Sequence, residues 1–302
     1  MLTIAVSSRS LFDLEEANQV FEREHQRGFD EYMQRTENDL LNPGAAFGMV
    51  RKLLALNSGT GHKGRDRVQV VLLSRNSTSA GMRVMNSVHA YGLDIEQALF
   101  TCGSDRFKYA QAMNADLFLC ATPGDARKAL ENGVAAASIV PGAHQQSEAD
   151  TQVRIALDGD SVFFCSEADE IYRQQGLGAF RDTELLKAQI PLGAGPFKHL
   201  LTKLCELQKT LPPEKAENLN IALFTARGLP SHGRPISTLR AWDLSISESF
   251  FLAGRPKGPF LAAYGADMFF DDTGQNIESA SEHGVPAGRV HAGGEGIVAE
   301  PV

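Results

Sequence analysis

The 302-residue sequence predicts an α/β protein made of two similar halves, each built around a mainly parallel sheet. Two observations carry this. Short apolar runs rich in β-branched residues alternate with stretches of helical periodicity along the whole chain, which is how strands joined by covering helices read. The sequence also resembles itself at a fixed spacing: with Ile4 set on Ile155, 151 residues on, Ala5, Ser10, Phe12 and Glu16 fall on Ala156, Ser161, Phe163 and Glu167.

The strand candidates are, in order, residues 2 to 6 (LTIAV), 68 to 73 (VQVVLL), 116 to 120 (DLFLC), 153 to 157 (VRIAL), 219 to 224 (LNIALF) and 267 to 270 (DMFF). Each is a short apolar run followed by small or polar residues, as a buried strand requires. Between them FKHLLTKLCELQ (197 to 208) sets Phe197, Leu200, Leu201, Leu204 and Cys205 on one helical face, a core-facing stripe. The repeat holds its register well beyond the first strand. VVLLSR (70 to 75) falls on IALFTA (221 to 226), HAYGLDI (89 to 95) on RAWDLSI (240 to 246), and Gly103 and Gly133 on Gly254 and Gly284. Convergence of two ordinary α/β segments would match hydrophobicity but not glycine positions, so duplication is expected. The halves are 1–150 and 151–302, joined by the polar stretch GAHQQSEADTQ (142 to 152), and are expected to pack rigidly with a cleft between them. The Gly-rich end HAGGEGIVAEPV (291 to 302) is either a tail or a flap.

Composition narrows the function. Hydrophobic residues make up 43% and charged residues 22%, the balance of a soluble globular protein, and the net charge is −8. No basic field favours a nucleic acid polymer or an anionic membrane. Cys102, Cys120, Cys165 and Cys205 form no CxxC pair and read as buried small hydrophobes in a reducing compartment. There is no basic leader at MLTIAVSSRS and no run of 18 apolar residues, so a cytoplasmic location is expected. GTGHKG (59 to 64) has GxGxxG spacing but precedes a strand rather than following one, and the eight histidines show no paired ligand spacing.

The chemistry gathers in the second half. IALDGDSVFF (155 to 164) ends an apolar run with Asp158 and Asp160, residues i and i+2, which converge on one side if the strand continues. Neighbouring carboxylates repel and are tolerated where a cation lies between them or one keeps a proton. LFTARG (223 to 228) ends another run with Thr225, GRPKGPF (254 to 260) places Lys257 at a helix start, and ADMFFDD (266 to 272) closes a third run with Asp271 and Asp272. Singly these read as a turn, a cap, a solvated charge and a loop. Together, at strand ends where open α/β sheets bind ligands, they suit phosphoryl transfer.

In that order the four motifs resemble those of the haloacid dehalogenase superfamily of phosphatases. With SSRSLFDLEE (7 to 16), LNPGAAF (41 to 47), LLSRNS (72 to 77), GPF (195 to 197) and RAW (240 to 242), nearly the whole chain resembles the cytosolic 5′-nucleotidase I family. The resemblance implies two haloacid-dehalogenase-type, Rossmann-like halves and a Mg²⁺-dependent hydrolysis of nucleoside 5′-monophosphates through an aspartyl-phosphate. Asp158 would be the nucleophile and Asp160 the acid, then the base. Thr225 and Lys257 would hold the phosphoryl group, with Ala226 and Arg227 as further substrate contacts. Mg²⁺ would be held by Asp158, the carbonyl of Asp160, and Asp271, with Asp272 beside it. At the repeat spacing these acids fall on Ser7, Arg9, Cys120 and Ala121, and Lys257 on Arg106, so the first half has lost its chemistry. Its Ser7, Arg9, Ser74, Arg75 and Asn76 are then expected to recognise the substrate or a regulatory nucleotide. Hydrolysis of another small phosphomonoester, or nucleotide binding without turnover, are the other readings. The number of subunits is left open, a homo-oligomer included.

Overall fold

The computed structural model describes residues 1–57, 67–141 and 150–292. The GTGHKG stretch, most of the polar join and the Gly-rich end from residue 293 lie outside the described residues.

The first half runs β1 (Leu2–Val6), α1 (Ser8–Leu11), α2 (Glu15–Arg35), α3 (Phe47–Ala55), β2 (Val68–Ser74), α4 (Thr78–Ala90), β3 (Gln97–Phe100), α5 (Phe107–Ala112), β4 (Leu117–Cys120), α6 (Pro123–Glu131) and β5 (Ala135–Ile139). The second runs β6 (Val153–Asp158), a wide turn over Gly159–Phe163, α7 (Glu167–Leu186), α8 (Lys198–Thr210), α9 (Pro213–Ala216), β7 (Leu219–Thr225), α10 (Gly233–Ala241), β8 (Glu248–Phe251), α11 (Gly258–Tyr264), β9 (Met268–Asp271), α12 (Gly274–Glu282) and β10 (Ala287–Arg289). All six predicted strands are present. β3, β5, β8 and β10 are strands that the sequence reading did not find.

The ten strands form one continuous sheet in the order β3-β2-β1-β4-β5-β10-β9-β6-β7-β8. Every pairing is parallel except β5 with β10. The protein is thus a mixed α/β fold of Rossmann type. The expected cleft between the halves is replaced by this seam: β5 and β10 would each be an open edge alone, and pairing satisfies their ladder groups. One antiparallel pairing between two parallel sets reverses strand direction, so the carboxyl ends of β1, β2 and β4 emerge on the opposite edge of the sheet from those of β6, β7 and β9.

Alternation along the strands divides the core. Ile4 and Val6 share one apolar cluster with Ile155 and Leu157, which runs unbroken across both halves on one face. Ala5, Leu73 and Phe118 on the other face belong to a separate cluster from Ala156, Phe224 and Phe269. On the shared face the helices reach across: α3 packs against β6 and α8 against β1. Lys52 on α3 donates to Asp267 at 2.7 Å and Asp150 at 3.0 Å, while His199 on α8 meets Asp116 at 3.0 Å. The helix predicted at 197 to 208 is α8, with Leu200, Leu201, Leu204 and Cys205 buried. Two cysteines depart from expectation: Cys102 is exposed in the turn after β3 and Cys165, between the wide turn and α7, is partly exposed, each lying in a connection rather than in a strand or helix.

The backbone follows the repeat spacing closely. Among the described residues, each residue with positive φ has a counterpart 151 positions away, from His25 and Gly176 to Gly133 and Gly284, with the single exception of Ser161. α2 breaks at His25 (φ 56°, ψ −161°) and α7 at Gly176 (φ 80°, ψ −179°), so each is two helical segments meeting at a bend.

Candidate active site at the strand tips of the second half

β6 is buried except at Arg154 and ends at Asp158, flanked by β7 and β9. The chain therefore delivers Asp158, Thr225 and Asp271 to three adjacent strand tips. Asp160 does not continue the strand. It lies in the wide turn (φ −72°, ψ 143°), and the chain reverses at Ser161, whose φ of 63° is held as its hydroxyl donates to Asp169 at 2.7 Å.

Lys257, at the start of α11 and 2% exposed, bridges two tips: its ammonium donates to Asp158 and, at 2.6 Å, to Asp271. Asp271 also accepts from the Thr273 backbone N–H at 2.8 Å and from Asn276 Nδ2 at 2.9 Å. One carboxylate oxygen from each of Asp158, Asp271 and Asp272 lies within 4.8 Å of the others. Burial raises the pKa of Asp158 well above the usual carboxylate range, Lys257 opposes this, and Asp271 adds to it. Burial, with Asp271 and Asp169 nearby, raises Asp272 to about 7. Burial also works against the Lys257 ammonium, but its two carboxylates outweigh it and hold its pKa above the ordinary lysine value. Three carboxylates against one ammonium leave the cluster short of positive charge among hard oxygen donors, which suits a divalent cation.

Asp160 faces the other way. Both its oxygens accept from Arg227, from Nε and Nη2 at 2.7 Å each. Arg227 also donates to the buried Glu184, which accepts from Arg234 at 2.9 Å, and Arg234 reaches Glu167 at 2.8 Å. Asp160 and Arg227 line a cavity of about 350 Å³ with Ala226, Tyr172, Phe180 and Leu229. Sequence reasoning found Arg227 but missed Glu184, Arg234 and Asn276. No spacing marks Glu184 or Arg234, and only the Asn276 position, in the first turn of α12 just beyond the ADMFFDD run, was within reach of a motif search.

The structure brings Asp158 and Asp271 into direct contact with Lys257 and sets Asp272 within 4.8 Å of the two acids, with Asp160 and Arg227 beside them. Thr225 is buried at the neighbouring tip, its hydroxyl accepting from the Arg227 backbone N–H at 3.1 Å. It does not bring Ser7, Arg9, Ser74, Arg75 or Asn76 there. These gather in a cavity of their own, on the opposite edge of the sheet.

The family model described as 5′-nucleotidase matches residues 1–296. The chain belongs to the 5′-nucleotidase family. Among relatives of this 5′-nucleotidase family chain, the human (Homo sapiens) protein named cytosolic 5′-nucleotidase 1B is 36% identical over 290 residues, covering 94% of the chain and 48% of the relative. The chain thus spans about half the length of that relative. No solved structure matches.

The remaining blocks shape the turn after the acids. In this 5′-nucleotidase family member the Gly195 N–H donates to Phe163 and the Phe197 N–H to Val162, so residues 195 to 197 clasp the turn that carries Asp160. A Cβ on Gly195 would lie 2.4 Å from the Phe164 carbonyl oxygen, and one on Gly44, its first-half counterpart, 2.8 Å from the Phe12 backbone. Trp242, partly buried, packs against Phe163 and Phe164, while Tyr91 packs on Phe12 and Phe47. No helix among the described residues is long and apolar enough to cross a membrane.

Proposed function

We propose that this chain is a Mg²⁺-dependent 5′-nucleotidase acting in the cytoplasm, which hydrolyses nucleoside 5′-monophosphates to nucleoside and phosphate through an aspartyl-phosphate on Asp158. The observation that carries the reading is the convergence of the Asp158, Asp271 and Asp272 oxygens within 4.8 Å, with the Lys257 ammonium bridging two of the three. Bound among these three carboxylates, with the carbonyl of Asp160, Mg²⁺ would offset the charge of the phosphoryl oxygens.

Asp158 attacks phosphorus, and the bond from phosphorus to the 5′-oxygen breaks. Lys257 and the Thr225 hydroxyl hold the transferring oxygens, donors fixed before charge develops. Asp160 gives its proton to the departing 5′-oxygen and then takes one from the water that attacks the intermediate, restoring Asp158. Both Asp160 oxygens are engaged by Arg227, so its side chain turns away from the guanidinium to reach the leaving group. Tyr172 and Phe180, in the cavity beside Arg227, provide aromatic surface for a base.

The element-by-element recurrence at 151 residues supports the further reading that 1–150 and 151–302 are copies of one unit, the first without turnover. Phosphate release from nucleoside 5′-monophosphates and sugar phosphates, with Mg²⁺ and with chelator, tests the function. Nucleotide preference that vanishes with chelator is expected. Preference for a sugar phosphate, or release unaffected by chelator, would overturn it.

A further inference from the structure

The hydrolytic reading leaves unused the cavity of about 280 Å³ at the strand tips of the first half. Arg9, Arg75 and Arg106 line it, and among the described residues no carboxylate does. Arg9 is matched by Glu15, through Nε at 2.8 Å and Nη2 at 3.1 Å. Arg75 and Arg106 share one anion, Asp125, with Arg75 Nη2 at 2.8 Å. Two guanidiniums on one carboxylate leave a surplus positive charge, and Arg106 is only 3% exposed, so water screens it little. Its Nε has no hydrogen-bond partner among the described residues, and neither has Asn76 Nδ2. Such buried unpaired donors are costly and call for a missing acceptor.

The lining is mixed: the hydroxyls of Ser7, Ser8 and Ser74 join the arginines, and Leu14, Phe21 and Phe29 supply apolar surface. No group here can repeat the second-half chemistry. The tips hold Ser7 and Ala121 where acids stand in the other half, and burial pushes the Cys120 thiol up to about 12, far from a thiolate.

We propose that this cavity is a second, non-hydrolytic site for a phosphate monoester, with the phosphoryl group held by Arg75, Arg106, Ser7 and Ser74 and an apolar body against Phe21 and Phe29. The phosphoryl dianion supplies what Asp125 alone cannot, a second anion for two guanidiniums in a geometry suited to bidentate pairing. The site lies on the sheet edge away from Asp158, so one ligand does not span both.

Equilibrium dialysis of labelled inorganic phosphate against the full chain in chelator tests this without divalent ion or turnover, so failure here leaves the hydrolytic reading untouched. Saturable binding is expected, weakened at least about ten-fold in Arg75→Gln and in Arg106→Gln and retained in Lys257→Met. The Arg75 side chain is 47% exposed, so Arg75→Gln decides alone if Arg106→Gln does not fold. Absence of binding, binding unchanged in Arg75→Gln, or binding lost only in Lys257→Met would overturn the site. AMP is expected to bind there about ten-fold more tightly than inorganic phosphate, with Phe21→Ala removing the margin; equal affinities would overturn the apolar contact.

Discussion

The two halves share a backbone and differ at the strand tips. Strands, helices and even the bends at His25 and Gly176 recur 151 residues apart, yet the second half gathers acids around Lys257 and the first gathers arginines around Asp125. One half is short of positive charge and the other of negative charge, so the same scaffold is suited to a cation in one place and an anion in the other. The single positive-φ residue without a counterpart, Ser161, lies in the turn that carries Asp160. Where the backbone departs from the repeat, it does so within the acid motif.

Removing the charge that separates the halves has the largest expected effect. Asp158→Asn is expected to lower kcat by about 10³-fold or more, because no covalent intermediate forms, and a variant that turns over normally would break the contrast. Lys257→Met is expected to lower kcat by about 10²-fold, read with stability measured alongside since Asp158 and Asp271 lose their shared cation. Next is the clasp on the turn. Gly195→Ala is expected to cost about 3 kcal/mol in urea unfolding and Gly44→Ala about 2, since a Cβ meets backbone at both and more closely at Gly195; the reverse order would mean that the clasps are not equivalent.

The cross-links over the seam are unequal. Lys52 is buried and faces Asp267, whose side chain is 10% exposed, so Lys52→Met is expected to cost about 3 kcal/mol. His199 is 64% exposed, and His199→Ala is expected to cost less than about 1 kcal/mol by the same measurement. One effect of similar size has the opposite sign. His25 holds a φ and ψ that glycine takes at position 176, so His25→Gly is expected to raise stability by less than about 1 kcal/mol, and a loss of stability would mean that the two bends are not equivalent.

The strands legible in the sequence were those rich in Val, Ile, Leu and Phe. β5 (AAASI) and β10 (AGR) escaped because small residues give little strand signal, and β3 (QALF) and β8 (ESFF) are short outer strands. Since the missed β5 and β10 form the seam, the reversal of direction between the halves was also out of reach. It puts Arg9 and Arg75 on the far edge from Asp158 rather than across a shared cleft. Asp158, Asp271, Asp272 and Lys257 were legible because strand tips carry a ligand site by topology. Glu184 and Arg234 were not. Glu184 is buried because it pairs with both Arg227 and Arg234 across the fold, and a glutamate on a helix has no local mark of being buried.

The central claim is that a divalent ion is held among acids from separate strand tips of the second half. Anomalous diffraction from crystals soaked in Mn²⁺ tests it most directly, since manganese accepts the same oxygen donors as magnesium. A peak bonded to Asp158 and Asp271, with Asp272 adjacent, is the expected result. A peak elsewhere, or none there at saturating Mn²⁺, would contradict it.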